Sequence, residues 1–598
     1  MAANPQLIAL TSGHLAGIAS AFSLAELRAE LRAQAQAAAE RMQMTLAEAI
    51  CIEAIRGYWA SLTEKFPLRE PPRATRALPE ALATTAWRLG EIMAPLPVTE
   101  AAYHLSLLYT GLLRPEWRAK RGVYYTPPSL AGRLLDQAEA AGLDWSKAHI
   151  LDPAAGAAAF LVPAAARLMK AMGSCAPAVA LQNISARIRG YEIDPFAAWM
   201  GQVFIEAAIM PAITAANRRP ADFITVCDSL KIETRACFDL VIGNPPFGRV
   251  SLPVKQRERF ARSLYGHANL YGLFTDLAVD LARPGGLISF LTPSSFLAGE
   301  YFKNLRSVLS REAPPVALDF VTPRKGVFED VLQETVLATY EKGAREKGGR
   351  RTCAAVSFIH PQPGNPAVPE PAGCFTLPRK ACAPWVLPRH ADEEKLAKRL
   401  RSMPERLEDW GYKVSTGPLV WNRHKSQLRD EAGKGRIPLV WAECITSDGR
   451  FIFRSERRNH KPFFKLRPDD DWLVVRTSCV LLQRTTAKEQ ARRLIAAEMP
   501  ASFVAAHGWV TVENHLNMMV PTVAKPAVSP ALLAAFLNSV AGDRAFRCLS
   551  GSVAVSAYEL ENLPLPAAAD LKRLVGRKLD RTTIETAAGQ LYGEDGET

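Results

Sequence analysis

The chain has 598 residues, 48% of them hydrophobic and 22% charged, with a net charge of +13. That length exceeds what one core normally reaches, so several domains are expected, and the composition excludes a wholly disordered chain. The basic excess fits a polyanionic partner, and it fits an ordinary solvated surface equally well.

The excess leans toward the C-terminal part, where residues 346–598 carry 37 Lys and Arg against 28 Asp and Glu. The ten cysteines are scattered, with neither a Cys-x-x-Cys pair nor a zinc-type Cys/His cluster. They read as reduced thiols of a cytoplasmic protein, and no metal site is expected. No signal peptide is expected, and no apolar run approaches the length of a membrane span.

Residues 1–115 are alanine-rich, and Leu24 to Leu62 keeps apolar residues at three- and four-residue spacing. This predicts an N-terminal helical region, divided where Pro67, Pro71 and Pro72 interrupt the pattern. From about residue 116 to 345, short apolar runs ending in turn residues alternate with helical stretches. The runs end at Asp152, Glu192, Asn244, Thr292 and Tyr340. The alternation predicts a doubly wound, mainly parallel α/β sheet, which binds ligands beyond the C-terminal ends of its strands. Residues 346–385, charged and then Pro-rich, read as a linker. Residues 386–570 read as a second domain of mixed α+β pattern, and 571–598 as a tail.

The sharpest signal is Asn244-Pro245-Pro246-Phe247, set directly after the apolar run Phe238 to Ile242. Two prolines stop the strand and hold the backbone outside any helix, which leaves carbonyls able to accept hydrogen bonds. With the Asn244 side-chain oxygen, they form a rigid pair of acceptors suited to an amine carrying two hydrogens. Phe247 adds a flat face on which a base can stack.

The second signal is Leu151-Asp152-Pro153-Ala154-Ala155-Gly156, a strand followed by a turn of small residues and a helix. Such turns admit a nucleotide-like ligand close to the backbone. Tyr191-Glu192-Ile193-Asp194 follows, with an acid at a strand end suited to ribose hydroxyls. Asp228 could accept from an adenine amine, or could be a loop aspartate in water. Gly122-Val123-Tyr124-Tyr125-Thr126-Pro127, alone, reads as a loop.

Taken in order, these four motifs resemble the gamma group of amino methyltransferases, the N6-adenine DNA methylases of bacterial type II restriction–modification systems. The resemblance covers about residues 105–345 and extends loosely beyond. It implies a Rossmann-like class I methyltransferase fold with a C-terminal target-recognition domain, and S-adenosylmethionine as cofactor. By resemblance, Thr126, Asp152, Ala154 and Gly156 hold the cofactor, Glu192 its ribose and Asp228 its adenine. Asn244 and the Pro245 carbonyl bind the target amine, with Pro246 completing the motif. Phe247 and Phe328 stack on the two faces of a base rotated out of double-stranded DNA. One departure is Ala158, near where the family loop has a second glycine; the loop is expected to stay helical there.

In the C-terminal region cations alternate with aromatics. Arg423, Lys425, Arg454 and Arg457 are candidates for DNA contact, against the plainer reading of a basic surface over an aromatic core. A restriction endonuclease, if present, is expected to act separately, because Pro468-Asp469 has no nuclease partner after it. An RNA or protein-glutamine methyltransferase, or a DNA-specificity protein with a decayed core, are the alternatives.

Overall fold

The computed structural model describes residues 26–33, 40–73, 76–114, 125–233, 236–322, 334–343, 353–362, 364–485, 492–549, 554–577 and 579–593. Apolar runs buried on both faces become the inner strands of a sheet covered by helices, the arrangement that near-continuous hydrophobic strands require. The strands are β1 (Ile150–Asp152), β2 (Ile188–Glu192), β3 (Ile224–Val226) and β4 (Phe238–Gly243), the two-residue β5 (Arg249–Val250) and β6 (Ala268–Asn269), then β7 (Ala282–Pro293), β8 (Pro315–Val321), β9 (Thr335–Glu341), β10 (Cys353–Ile359) and β11 (Pro369–Thr376). Nine of them form one sheet in the order β11-β10-β8-β9-β7-β4-β1-β2-β3, while β5 and β6 pair separately.

β3, β2, β1, β4 and β7 run parallel. β9 runs against both of its neighbours, β7 and β8. β10 runs parallel to β8, and β11 closes the edge antiparallel. The chain winds outward from β1 to β3 and returns to β4 on the other side of β1. The strand order therefore reverses between β1 and β4, the position where such sheets open a crevice.

The N-terminal helices Glu40–Leu62, Glu80–Met93 and Val98–Leu112 share one continuous core with one face of this sheet. They form a layer of the same domain. The helix Pro195–Ala208 lies between them and the sheet, and its buried residues run without a break from Phe196 to Ala207. A helix apolar on all sides needs this double cover. No single described helix is long and apolar enough to cross a membrane. The opposite face of the sheet is covered by Leu270–Leu281 and Lys303–Glu312.

Two of the expected boundaries are corrected. Within residues 346–385, expected to be a linker, the described residues are folded: β10 and β11 extend the sheet, and Trp385 is fully buried against Phe296 and Phe375. Along the edge strand β11, Ala372 and Phe375 are buried among exposed or half-buried neighbours, a pattern hidden by the Gly and Pro around them. Residues 571–593 are not a tail: Leu571, Ile584 and Tyr592 are buried in the C-terminal core.

That C-terminal domain contains two four-stranded sheets. One joins β12 (Tyr412–Thr416), β16 (Cys479–Gln483), β17 (Ala496–Met499) and β19 (Leu516–Pro521). The other joins β13 (Leu428–Arg429), β14 (Arg436–Val440), β15 (Phe463–Lys465) and β18 (Thr511–Val512). Trp441, Phe464 and Leu481 fill a core bounded by strands of both sheets.

Buried Arg306 joins the two domains. It donates to the carbonyls of Phe296 (2.8 Å) and Gly299 (2.7 Å), to those of Cys382 (3.0 Å) and Ala383 (3.0 Å), and to the Tyr558 hydroxyl (3.1 Å). All ten cysteines are free.

Candidate active site

A cavity of 660 Å³ lies beyond the C-terminal ends of β1 to β4 and is lined by Thr126, Asp152, Ala154, Gly156, Glu192, Asp228, Asn244 and Pro246, among others. The strand ends deliver these side chains. β1 ends on Asp152, β2 ends on Glu192, Asp228 follows β3 by two residues, and Asn244 directly follows β4.

Small residues hold the first loop close to the sheet. The Ala155 amide donates to the Tyr191 carbonyl (2.9 Å), and Gly156 takes a left-handed φ of 51°. Side chains at two neighbouring glycines would crowd this loop. A Cβ on Gly201 would stand 3.1 Å from the Gly156 carbonyl oxygen, and one on Gly243 would stand 2.8 Å from Asp152 Oδ1. The expectation that Ala158 stays helical is overturned: its φ is 65°. The Ala158 amide donates to the Ala155 carbonyl (2.7 Å), and this tight turn forces an alanine into a conformation that suits glycine.

Asp152 is buried. Its Oδ1 accepts from the Ala154 amide (2.9 Å), and its Oδ2 has no partner among the described residues. Burial raises its pKa, the Ala154 amide pulls it back and the Glu192 carboxylate adds to the rise; the result is about 8. Glu192 accepts from the Gly156 amide (2.8 Å) and the Asp194 amide (2.9 Å), and burial raises its pKa despite those bonds. Asp228 accepts from the Leu230 amide (3.1 Å) and pairs with Lys231 (3.0 Å).

Asn244 is half-buried, and its amide nitrogen donates to Thr126 Oγ1 at 3.1 Å. This bond orients the amide and joins the Thr126 loop to the Asn244-Pro245-Pro246-Phe247 segment, which is neither helix nor strand. Pro245 is buried and holds the turn in place. Phe247 leaves the cavity wall and meets Tyr271 edge-on, with ring centroids 6.2 Å apart. Tyr271 stacks on Phe302 (4.9 Å) and hydrogen-bonds Ser295 (2.8 Å).

Phe328 and the Gly122 to Tyr124 part of the first motif lie outside the described residues. Sequence reading missed Glu48 and Arg73, which come from the N-terminal layer and also line the cavity. Their only signals were a charge within a helix, for Glu48, and a charge in the proline-rich segment after it, for Arg73, and both are common.

The basic residues of the C-terminal domain divide into two groups. Arg423 and Lys425 are exposed, with Lys425 above the Trp421 ring. Arg454 is engaged locally, whereas Arg457 is paired and still exposed. Arg454 donates to the Glu443 carbonyl and Arg457 pairs with the Glu443 carboxylate (3.3 Å).

The five carboxylates in the wall, Glu48, Asp152, Glu192, Asp194 and Asp228, suit a ligand bearing hydroxyls and positive charge. The unpartnered oxygen of Asp152 and the glycine-lined loop fit the donor set of S-adenosylmethionine. Among the described residues, no cluster of His, Cys, Asp and Glu could hold a metal ion.

Comparison with known proteins agrees with this geometry. Residues 202–328, which include the Asn244 segment, match the family described as Eco57I restriction-modification methylase. The chain is 28% identical to type II methyltransferase M.BsuBI of Bacillus subtilis over 350 residues, 57% of this chain and 67% of that protein. It is 25% identical to type II methyltransferase M.PstI of Providencia stuartii, over 59% of this chain and 70% of that one. In fold it is similar to the type IIL restriction-modification enzyme MmeI, solved in complex with DNA, with a TM-score of 0.52, 12% identity and 97% of each chain covered. By these similarities the chain resembles the type II restriction–modification methylases.

Proposed function

We propose that this protein methylates the N6 amine of adenine within a specific sequence of double-stranded DNA, protecting that DNA beside a separately acting endonuclease. The observation that carries the reading is the junction of Asn244-Pro245-Pro246-Phe247 with the acidic cavity, through the Asn244–Thr126 hydrogen bond. Thr126, Asp152, Ala154 and Gly156 would hold the methionine part of S-adenosylmethionine, Glu192 the ribose hydroxyls and Asp228 the adenine. When bound, that cofactor supplies a methyl group on a positively charged sulfur.

The amine of adenine is a poor nucleophile because its lone pair is delocalised into the ring. The Asn244 side-chain oxygen and the Pro245 carbonyl, held rigidly, accept its two hydrogens and draw the lone pair out of conjugation. The work is positioning and polarisation. The target base must leave the helix at a cost of a few kcal/mol, and stacking returns about 1–3 kcal/mol per base. Phe247 would supply one face and Phe328 the other. Arg423, Lys425, Arg454 and Arg457 would contact the DNA from the C-terminal domain.

The test is transfer from isotope-labelled S-adenosylmethionine to unmethylated bacterial DNA, with the labelled nucleoside identified by mass spectrometry. Labelled N6-methyladenine is expected. Label in cytosine, in RNA or in protein, or no label in any of them, overturns the reading.

A further inference from the structure

We propose that Arg73, positioned by Glu48, binds the carboxylate of the methyl donor, so that the N-terminal helical layer completes the cofactor site. The inference rests on the reading of the cavity as a site for S-adenosylmethionine. It names a residue that none of the sequence motifs contains.

The argument begins with charge. Among the described residues that line the cavity, Arg73 is the one Lys or Arg, facing five carboxylates. The donor carries hydroxyls, an ammonium group and a sulfonium, all of which suit carboxylates, and a single anionic group, which does not. An isolated carboxylate placed among those acids would be repelled. A guanidinium matches it in charge and in its planar array of donors.

Placement comes next. Segment 63–73 is anchored before it reaches the cavity. Trp59 Nε1 donates to the Phe66 carbonyl (2.8 Å), and Trp199 Nε1 donates to the Arg69 carbonyl (3.0 Å). Arg69 pairs with buried Glu206 and with Asp222 (2.6 Å). Its supporting helices are in backbone contact: a Cβ on Gly90 would stand 1.9 Å from the Ala54 carbonyl oxygen, and one on Gly57 2.3 Å from that of Trp87. Four residues after Arg69, Arg73 meets Glu48 (Nη1 to Oε1, 3.3 Å). Glu48 is buried, whereas the Arg73 side chain is 57% exposed. The buried partner thus holds an accessible guanidinium at the wall, with donors left over for a ligand.

The test is calorimetric binding of S-adenosylmethionine and of its decarboxylated analogue to the full chain without DNA. Arg73→Gln should weaken S-adenosylmethionine about tenfold, the discounted value of one charge-assisted contact at a partly exposed site. It should leave the decarboxylated analogue unchanged, even where the loss of the Glu48 partner lowers the thermal midpoint. Glu48→Gln should give a smaller loss with the same ligand pattern, as a positioning residue would. Equal losses for both ligands, or no loss for either, overturn the assignment to Arg73. A parent protein that binds neither ligand overturns the donor reading of the cavity itself, a separate and distinguishable result.

Discussion

The catalytic domain and the C-terminal domain handle charge in opposite ways. Around the cavity, buried and half-buried carboxylates have few cations to balance them, and Asp152 is raised to about 8. In the C-terminal domain an acid organises the cations. Glu443 accepts from the backbone of Glu456 (2.6 Å), pairs with Arg457 and meets His460 (3.1 Å), whose ring stacks on Trp441 at 3.7 Å. Uncompensated burial of charge is costly and persists where a ligand completes it. Compensated charge is structural first. A residue's type therefore says less about its role than whether its charge is already answered.

The largest expected effect falls on the catalytic side. Asn244→Ala removes one rigid acceptor and the link to Thr126, and methyl transfer should fall about a hundred- to a thousand-fold. DNA binding should stay within a few-fold. Measured rates within tenfold of the parent would remove Asn244 from the chemistry. Next comes the joint between the domains. Arg306→Ala strips five contacts and leaves buried carbonyls without donors, a loss of about 3 kcal/mol or more. Urea unfolding followed by tryptophan fluorescence should show a clearly lower midpoint, and an unchanged midpoint would show that the joint does not need Arg306.

Much of the catalytic half was legible because its signals are local. A strand end followed by Asp152-Pro153, Glu192 or Asn244-Pro245-Pro246 places a side chain at the crevice whatever the rest of the chain does. What escaped was non-local. β10 and β11 join the sheet through pairing with β8, which lies more than thirty residues upstream of β10, and Glu48 and Arg73 reach the cavity by packing over Pro195–Ala208. The φ of Ala158 escaped as well, since it depends on the path of the loop and not on the residue. In the C-terminal region, composition marked Arg423 and Arg454 alike, and only the fold separates the exposed one from the one held by Glu443.

Asp152 supplies the pH prediction. In the free protein its carboxyl is protonated at neutral pH, whereas in the unfolded chain it titrates near about 3.9. The native state therefore binds more protons in this window. The group's contribution to stability is full below about pH 4 and is lost as pH rises through its folded value. A cationic ligand needs the ionised form, so binding releases a proton. Affinity for S-adenosylmethionine should rise about tenfold per pH unit between roughly 6 and 8 and then level off. Asp152→Asn should flatten that profile at lower affinity. A flat profile in the parent would rule out titration of Asp152 on binding.

The C-terminal prediction separates exposed from engaged cations. Replacing Arg423 and Lys425 together by Gln should reduce the slope of log affinity for DNA against log salt by about 1 to 2. Arg454→Gln should leave the slope nearly unchanged and lower the stability of the domain instead. Equal slopes for the parent and the double variant would place the DNA elsewhere.

The smallest effect tests the strained loop. Ala158 is buried at φ 65°, a conformation that costs alanine about 1 kcal/mol more than glycine. Glycine also loosens the unfolded chain, which offsets about 0.4–1 kcal/mol of the relief. The two terms nearly cancel, so Ala158→Gly should move the thermal midpoint by no more than a few degrees. Ala158→Val separates them, because a β-branched side chain adds strain at this φ and has no room in the buried turn. It should be clearly destabilising and weaken donor binding, because the Ala155 to Ala158 turn shapes the cavity floor. If the valine variant matched the parent in midpoint and affinity, the left-handed turn would not be what sets the shape of this loop.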